Sequence, residues 1–352
     1  MGMANINITF TEKAKTVAKR AAAETVGLIL RGAVPAGNPV HVTNESEIPK
    51  NLSAENKEQV QLALQGYQNQ PSKVVVYCIG TDDDYTGAFD YFEMNAVNYL
   101  VIPTIETEGK TDDLKNWIKT QRAEGRILKA VLPNTSADHE GIINYATEEL
   151  IVGDKTYSAE KYCSRIAGIL AGTPLTISCT YAQIPEATDC TRLKRNEIDE
   201  AVDAGKLIVF NDGEKVKIAR GVNSLTTETE DKGKQFKKIK IVDAMDTIQS
   251  DIRRLAEDVY IGKYGNTYDN KCLLISAIQE YFSELQKQGI LHEYEIGIDI
   301  AANKEYLNSI GTDVTELSDD EIKMATTDDK VFIAGTLKIL DAIEDIRVSI
   351  TV

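Results

Sequence analysis

Between residues 73 and 147, short apolar runs alternate with stretches of mixed polarity, and this alternation constrains the fold more than any other feature of the sequence. The run KVVVYCI at 73–79 is apolar almost throughout, which is typical of a strand covered on both faces. Further strands are predicted at 99–105 and 127–132, and helices at 85–95, 112–124 and 138–147. Strands separated by such helices form βαβ units, so we predict a mostly parallel sheet.

Both ends of the chain carry the period-two pattern of a strand with one buried face. The apolar residues of this pattern are Ile6, Ile8 and Phe10 at one end and Ile346, Val348, Ile350 and Val352 at the other, where they alternate with Arg347, Ser349 and Thr351. Termini are usually the least ordered part of a domain unless a contact holds them. We therefore expect two strand-forming arms, which either close the chain's own sheet or complete a sheet in a neighbouring molecule.

The last third of the sequence differs in character from the middle. Helical spacing of apolar residues predicts long helices at about 242–261 and 269–288, and strands are predicted at 294–300 and 331–339. Two helices on an antiparallel sheet form an α+β domain. The predicted fold class is therefore α/β plus α+β, with extended β-strand arms at both ends.

These patterns divide the chain into four parts. We predict an N-terminal arm at 1–20, a middle α/β region at 21–235, a C-terminal α+β domain at 236–340 and a C-terminal arm at 341–352. The first strands of the middle region could pack in its sheet or elsewhere. Within the middle region, Asn211-Asp212-Gly213 is predicted to be the turn of a hairpin. The polar stretch at 226–238 is interpreted as a solvated loop or domain linker.

Charge and cysteine content exclude several classes of protein. A formal charge of −16 argues against a broad contact with nucleic acid or an anionic membrane. The sequence has no apolar run of about 18 residues and does not open on a basic-then-apolar signal pattern. The five cysteines form no CxxC pair, which argues against a zinc site or a disulfide framework.

The sequence offers no clear catalytic constellation. Neither a GxSxG nor an HExxH motif is present, and the three histidines lie in unrelated segments, at His41, His139 and His292. The acidic stretch 82–84 could bind a hard cation, but a solvated loop is the stronger interpretation because no second ligand cluster accompanies it. We predict no catalytic, cofactor-binding or metal-binding residue.

Four segments, taken in order, resemble the contractile tail sheath proteins of bacteriophages and of phage-tail-like bacteriocins. They are LQGYQNQPSKVVV at 64–76, ARGVNSLTT at 219–227, the strand and long helix at 239–262, and the ending at 341–352. The second is similar to the Arg-Gly-Val/Ile-Asn-Thr/Ser-Leu motif of sheaths. The resemblance covers essentially the whole chain, and its length of 352 residues suggests the compact type found in Gram-positive phages.

The resemblance implies a subunit that polymerises around a rigid tail tube, with its C-terminal domain inside against the tube and its middle region outside. The arms would add strands to the C-terminal domains of neighbouring subunits. Contraction from a metastable extended state would drive the tube through the target cell envelope without consuming a nucleotide.

The resemblance also implies the partners and the location. The expected partners are further copies of the chain, the tail tube protein, and the baseplate and tail terminator proteins. We expect no cofactor, no nucleic acid and no membrane insertion, and we expect the particle to be assembled in the bacterial host cytoplasm.

Tube contacts in this family tend to be polar or charged. The candidate tube-facing residues lie on the long helix and are Asp246, Asp251, Arg253, Arg254 and Asp258; solvated helix surface is the alternative for each. Two other functions stay open. One is a cytosolic α/β enzyme or nucleotide-binding protein with an unrecognised site, and the other is a different structural component of a tail or baseplate.

Overall fold

The computed structural model describes residues 24–351, which form two compact units. The larger contains residues 24–243 and 341–351, and the smaller contains residues 244–340. The chain therefore leaves the larger unit between Asp243 and Ala244 and returns to it after Leu340. This first division falls inside a helix and lies beyond the border predicted at 235/236. The predicted arm at 1–20 lies outside the described residues.

The elements of the larger unit are short strands and medium-length helices. Its strands are β1 (Thr25–Arg31), β2 (Val40–Val42), β3 (Lys73–Ile79), β4 (Tyr99–Val101), β5 (Lys129–Pro133), β6 (Ile142–Tyr145), β7 (Glu149–Val152), β8 (Lys155–Ser158), β9 (Asp189–Cys190), β10 (Lys206–Leu207), β11 (Val209–Asn211) and β12 (Val216–Ile218). Its helices are α1 (Ala54–Leu64), α2 (Thr86–Met94), α3 (Thr111–Ala123), α4 (Ala159–Ala171), α5 (Arg195–Asp203) and the first turn of α6 (Ile239–Leu255).

Seven of these strands form one sheet in the order β10-β6-β5-β4-β1-β3-β2. Each neighbouring pair is parallel except β2 and β3, which are antiparallel. Strand β1 lies between β3 and β4, and its residues Val26 to Leu30 are buried, as expected for a central strand with helices on both sides. The mostly parallel sheet predicted from the sequence is confirmed.

Helices cover both faces of this sheet, so its side chains form two separate buried clusters. Leu28 and Val76 point to the cluster that contains α1 and α4, whereas Ile29 and Val75 point to the cluster that contains α2 and α3. Helix α4 packs closely on α1 at Gly168, where a Cβ would lie 2.3 Å from the carbonyl oxygen of Ala63. The absence of a side chain at Gly168 therefore sets the distance between the two helices.

Two small sheets complete the larger unit. Strands β8, β7 and β9 form one, and β11 and β12 form the other as an antiparallel hairpin. The predicted turn joins β11 to β12, since Asp212 Oδ1 accepts the N–H groups of Glu214 and Lys215 at 3.0 and 2.8 Å. Gly213 has a φ of 104°, which favours glycine.

The smaller unit is an α+β domain, as predicted. It contains the rest of α6, a π-helical turn at Ala256–Tyr260, α7 (Tyr268–Lys287), β13 (Leu291–Ile298), α8 (Ile300–Ser309), α9 (Asp319–Met324) and β14 (Ile333–Ile339). Strands β13 and β14 pair antiparallel, and α7 packs against β13. No helix of the described residues is both long and apolar enough to cross a membrane.

Three parts of the chain fold differently from the sequence-based prediction. The segment at 239–262 begins with a helix instead of the expected strand, because α6 starts at Ile239 itself. Residues 138–147, predicted to be a helix, form a loop and then β6, because Ile142 to Tyr145 are buried in the sheet beside β5. The sequence between the last two predicted strands contains α8 and α9, which the prediction omitted. Helix α9 begins with a capping box of Ser318 and Glu321, a signal that the sequence carries.

We predict that Gly168→Ala lowers the free energy of unfolding by about 1–3 kcal/mol or more, because the added methyl group meets the backbone of α1 rather than a movable side chain. Urea unfolding of the isolated subunit, followed by circular dichroism, measures this change. Gly233→Ala is the matched control, since a Cβ at that position meets nothing within 4 Å. Similar losses in the two variants would contradict the close helix packing.

Candidate functional site

In an α/β protein, a ligand site is expected at the carboxyl edge of the parallel sheet, where the strand order reverses. Here that point lies between β1 and β4, because the chain proceeds from β1 to β3 on one side and then to β4 on the other. Arg31, the last residue of β1, occupies it. Its Nη1 donates to the carbonyl oxygens of Gly80, Thr81 and Asp83, each at 2.9 Å.

Glu108 binds the other side of the Arg31 guanidinium. Arg31 Nε and Nη2 donate to its two carboxylate oxygens at 2.9 and 2.8 Å, and the Tyr85 hydroxyl donates to Oε2 at 2.5 Å. Burial opposes ionisation of Glu108, but the hydrogen bonds from Arg31 and its neighbours outweigh it and lower the pKa to about 2. Burial and the Glu108 carboxylate raise the pKa of Tyr85 to about 12. The switch point is therefore filled by side chains that bind one another.

Cavities of about 630, 470 and 320 Å³ lie elsewhere in the described residues, and a smaller one of about 210 Å³ lies beside this cluster. The smaller one is lined by Glu58, Lys155 and Tyr157 among others. The Lys155 ammonium and the Tyr157 hydroxyl both bind the Glu58 carboxylate. Three polar groups of this cavity, those of Glu58, Lys155 and Tyr157, therefore bind one another.

The acidic stretch 82–84 organises its own loop. Asp83 Oδ2 accepts the N–H of Gly80 at 2.9 Å, and Asp84 Oδ1 accepts the N–H of Thr86 at 3.0 Å, where α2 begins. Over residues 24–351, no group of three or more His, Cys, Asp or Glu residues is arranged to hold a metal ion. The loop carboxylates thus have a local structural role.

A buried charge network joins the sheet to the start of α6. Lys129 Nζ lies 2.8 Å from Asp243 Oδ1, and the Tyr99 hydroxyl lies 2.7 and 2.8 Å from the two Asp243 carboxylate oxygens. The Lys129 side chain is only 1% exposed. Burial and the neighbouring Asp243 raise the pKa of Tyr99 well above its usual value. Because removing one partner of a buried pair is costly, this network fixes the first turn of α6 to the larger unit.

The ARGVNSL segment at 219–225 forms a corner that is hydrogen-bonded to the residues leading into α6. Asn223 is fully buried, and its Nδ2 donates to the carbonyl oxygen of Phe236 at 2.7 Å. The N–H of Gly221 donates to Thr180 Oγ1 at 2.9 Å. These bonds fix the backbone on both sides of the corner and so hold Arg220 in one place. The sequence indicated a motif here but no role for its arginine.

The residues after β14 bind the larger unit through ion pairs and hydrogen bonds that we call the clasp. It consists of Ser178, Thr180, Arg220 and Lys238 on one side and Asp341, Glu344 and Asp345 on the other. The Glu344 side chain, 6% exposed, is its centre. Glu344 Oε1 accepts from Ser178 Oγ at 3.0 Å and Thr180 Oγ1 at 2.5 Å, and Oε2 lies 3.2 Å from Arg220 Nε.

Three further ion pairs complete the clasp. Arg220 Nη2 lies 2.6 Å from Asp345 Oδ2, and Lys238 binds Asp341 and lies 3.5 Å from Glu344 Oε2. The hydrogen bonds to Asp345 and Glu344 raise the pKa of Arg220, and Arg220 lowers the pKa of Asp345. Nothing in the local sequence links these groups, since Arg220 and Glu344 are 124 residues apart.

Beyond the clasp, the predicted arm presents apolar side chains to solvent. Ile346, Val348 and Ile350 are 79%, 72% and 81% exposed. Residues 346–351 belong to no strand within the described part of the chain. The remaining predicted arm residues, Val352 and the N-terminal Ile6, Ile8 and Phe10, lie outside the described residues.

Strands β13 and β14 form an open two-stranded antiparallel sheet. Its register runs from Leu291 opposite Ile339 to Ile298 opposite Ile333, and the middle of β14 is exposed. Among residues 24–351, neither strand has a second ladder partner. The unpaired edges of such a sheet are templates for another strand.

The five candidate tube-facing residues on and after α6 differ in how exposed they are. Asp246 and Asp251 are buried, and Asp251 Oδ2 accepts from the Tyr281 hydroxyl at 2.8 Å. Arg254 is half-buried and lies 3.7 Å from Asp251. Arg253 and Asp258 are exposed. Of the five, these last two present the most accessible charge to a partner.

Sequence comparison gives matches along most of the chain. Residues 80–224 match the family model for the phage tail sheath protein central domain, and residues 231–352 match that for the phage tail sheath C-terminal domain. A tail sheath protein of Clostridium phage phiCD119 is 38% identical over 356 residues, which cover 99% of each chain.

Solved structures with low sequence identity share the fold. The sheath tail protein of Listeria innocua matches with a TM-score of 0.70 at 16% identity, over 94% of this chain and 99% of that one. The helical sheath of the anti-feeding prophage in its contracted state matches with a TM-score of 0.69 at 13% identity, over 94% and 93% of the two chains.

We predict that the contribution of Glu108 to stability depends on pH. Because its pKa is lowered to about 2 in the folded protein, this contribution is fully present above about pH 4.5 and is lost as the pH falls towards 2. At neutral pH, Glu108→Gln should lower the free energy of unfolding by about 1.5–3 kcal/mol. Urea unfolding of both proteins between pH 7 and pH 2.5 measures the difference, which should shrink on acidification. A constant difference would contradict the Arg31–Glu108 assignment.

Proposed function

Because this chain belongs to the family of phage tail sheath proteins, we propose that it works by exchanging strands with further copies of itself. It is a structural subunit of a contractile tail sheath and a component of a phage or phage-like particle. The finer parts of this function are the joints between subunits, the contact with the tube and the source of the contractile force.

We propose that the C-terminal arm is a donated strand. The observation that carries this proposal is the exposure of Ile346, Val348 and Ile350, which alternate with polar residues and lie just beyond the clasp. A strand of seven residues spans about 23 Å, at about 3.3 Å per residue, which is enough to reach an adjacent subunit. Strand addition would bury these side chains and pair the backbone groups of the arm.

The acceptor in this proposal is the open edge of the β13–β14 sheet in a neighbouring copy. A third strand would pair backbone groups at an edge of this sheet that has no strand partner among residues 24–351. The alternation in the arm would also fix the register, since a slip by one residue turns the apolar side chains to the opposite face. The N-terminal residues Ile6, Ile8 and Phe10 have the same pattern, and we propose the same role for them.

The proposed partners other than the chain itself are the tail tube protein, the baseplate and the tail terminator. Exposed Arg253 and Asp258, with half-buried Arg254 between them, are the residues of α6 and the turn after it that we propose to face the tube. Charged contacts of this kind are screened and exchangeable, so they would release when the sheath contracts. We further propose that assembly takes place in the cytoplasm of the bacterial host.

We propose that the protein is not an enzyme and that contraction needs neither a cofactor nor a nucleotide. The position where an α/β protein usually binds its ligand is filled by Arg31, Glu108 and Tyr85, which satisfy one another. The free energy for contraction would then come from better packing between subunits than in a metastable extended state. This energy would drive the tube through the target cell envelope.

Deletion of residues 346–352 should leave a folded subunit that does not polymerise, because the clasp and both compact units remain while the donated strand is lost. Thermal unfolding measures the fold, and electron microscopy of negatively stained protein measures assembly. The full-length chain should form tubes or hollow contracted polymers under the same conditions. Tubes formed by the truncated chain, or unfolding of its larger unit, would contradict the proposed role of the arm.

The two faces of the arm should respond differently to a charge. Val348→Asp should raise the protein concentration needed for assembly by at least about tenfold, since burying a carboxylate on the apolar face of the donated strand is unfavourable. Ser349→Asp is the matched control on the opposite face and should assemble nearly as well as the unchanged chain. Pelleting of polymer over a concentration series gives both values. Equal effects would argue against a strand with one buried face.

A further inference from the structure

We propose that Arg220 is a positioning residue for strand donation: through the clasp it fixes the point and the direction in which the C-terminal arm leaves the larger unit. The inference rests on the proposed donor role of the arm. It gives a role to Arg220 of the ARGVNSL segment, and Arg220 lies 124 residues from its partner Glu344 in the sequence. The partner that the positioned arm would meet is a sheet edge of a second copy of the chain.

The geometry of the guanidinium supports this role. Arg220 Nε lies 3.2 Å from Glu344 Oε2, and Arg220 Nη2 lies 2.6 Å from Asp345 Oδ2. Glu344 and Asp345 are consecutive and immediately precede Ile346, the first apolar residue of the arm. A single rigid group that holds two consecutive side chains restricts both the position of the backbone between them and its rotation.

Glu344 is the anchor of the clasp. Its side chain is 6% exposed and also accepts hydrogen bonds from Ser178 Oγ and Thr180 Oγ1, so it is held by neutral donors as well as by charge. The Asp345 side chain is 84% exposed, so its ion pair with Arg220 contributes little stability. Its contribution is to restrain the direction of the backbone that leads into the arm. Arg220 is itself held by the corner in which Gly221 binds Thr180 Oγ1.

Positioning matters because a strand that adds to a sheet must lose conformational freedom. Fixing the backbone of one residue before association raises the equilibrium constant for strand addition roughly tenfold. A clasp that orders the residues just before the arm removes part of this cost, and the apolar residues from Ile346 onward then start from a defined place. Because Arg220 is partly exposed, salt should weaken the clasp.

Arg347 makes the state of the arm measurable in the full-length, unassembled subunit. Trypsin cleaves after arginine, and it must bind extended chain on both sides of the Arg347–Val348 bond, which includes the clasped residues Glu344 and Asp345. The measurement is the initial rate of release of the peptide 348–352, followed by mass spectrometry. Arg220→Gln should raise this rate about tenfold at low salt.

Controls separate positioning from general loss of structure. Arg192→Gln removes another arginine, one that is ion-paired to Asp189 on the surface at 3.2 Å, and it should be cleaved like the unchanged chain. Glu344→Gln keeps an oxygen for Ser178 and Thr180 but loses the charge, and it should also speed cleavage. Arg220→Lys should restore part of the protection. Raising NaCl to 1 M should bring the unchanged chain towards the rate of Arg220→Gln and should hardly affect that variant.

The outcomes also distinguish this inference from the proposed function. Equal cleavage rates for Arg220→Gln, Glu344→Gln and the unchanged chain, with similar thermal unfolding, would overturn the positioning role. The positioning role would also be overturned if Arg220→Gln assembled at the unchanged rate. If deletion of 346–352 abolished assembly in the same experiment, the donor role of the arm would still stand. Faster cleavage and slower assembly in Arg220→Gln, with Arg192→Gln unaffected, would support the inference.

Discussion

The chain passes between its two compact units twice, and at both crossings an ion pair holds it to the larger unit. At the first crossing the buried Lys129 binds Asp243, the last residue of the larger unit before α6 continues into the smaller one. At the second crossing Lys238 binds Asp341, the first residue after the return. These charges hold the residues at which each segment leaves or enters the larger unit.

The two crossings differ in how strongly their charges are shielded from water. Lys129 is almost fully buried and shares Asp243 with the Tyr99 hydroxyl, so salt has little access to this pair. The clasp at the return is partly exposed, and its cations are 30% and 33% accessible. Added salt should therefore weaken the pairing at the return more than the pairing at the start of α6.

Much of the fold was predictable from sequence because its signals are local. The apolar run at 73–79 is β3, and the run at 127–132 overlaps β5 of the same sheet. The glycine of the Asn211-Asp212-Gly213 turn has the backbone angle that the hairpin needs. The prediction failed at 138–147, where Ile142 to Tyr145 form a strand instead of a helix. A short apolar segment fits either state, and only its place beside β5 decides between them.

The sequence by itself determined the alternating pattern of the C-terminal arm, the absence of known catalytic motifs and the order of segments that resembles a sheath, since each of these is written in neighbouring residues. Only the tertiary structure decided that Arg31 fills the switch point with Glu108, that Lys129 neutralises Asp243, and that Arg220 meets Glu344 at the base of the arm. These pairs join residues that lie far apart in the chain. Charge pairing has no sequence period, so it becomes visible only when the fold brings the partners together.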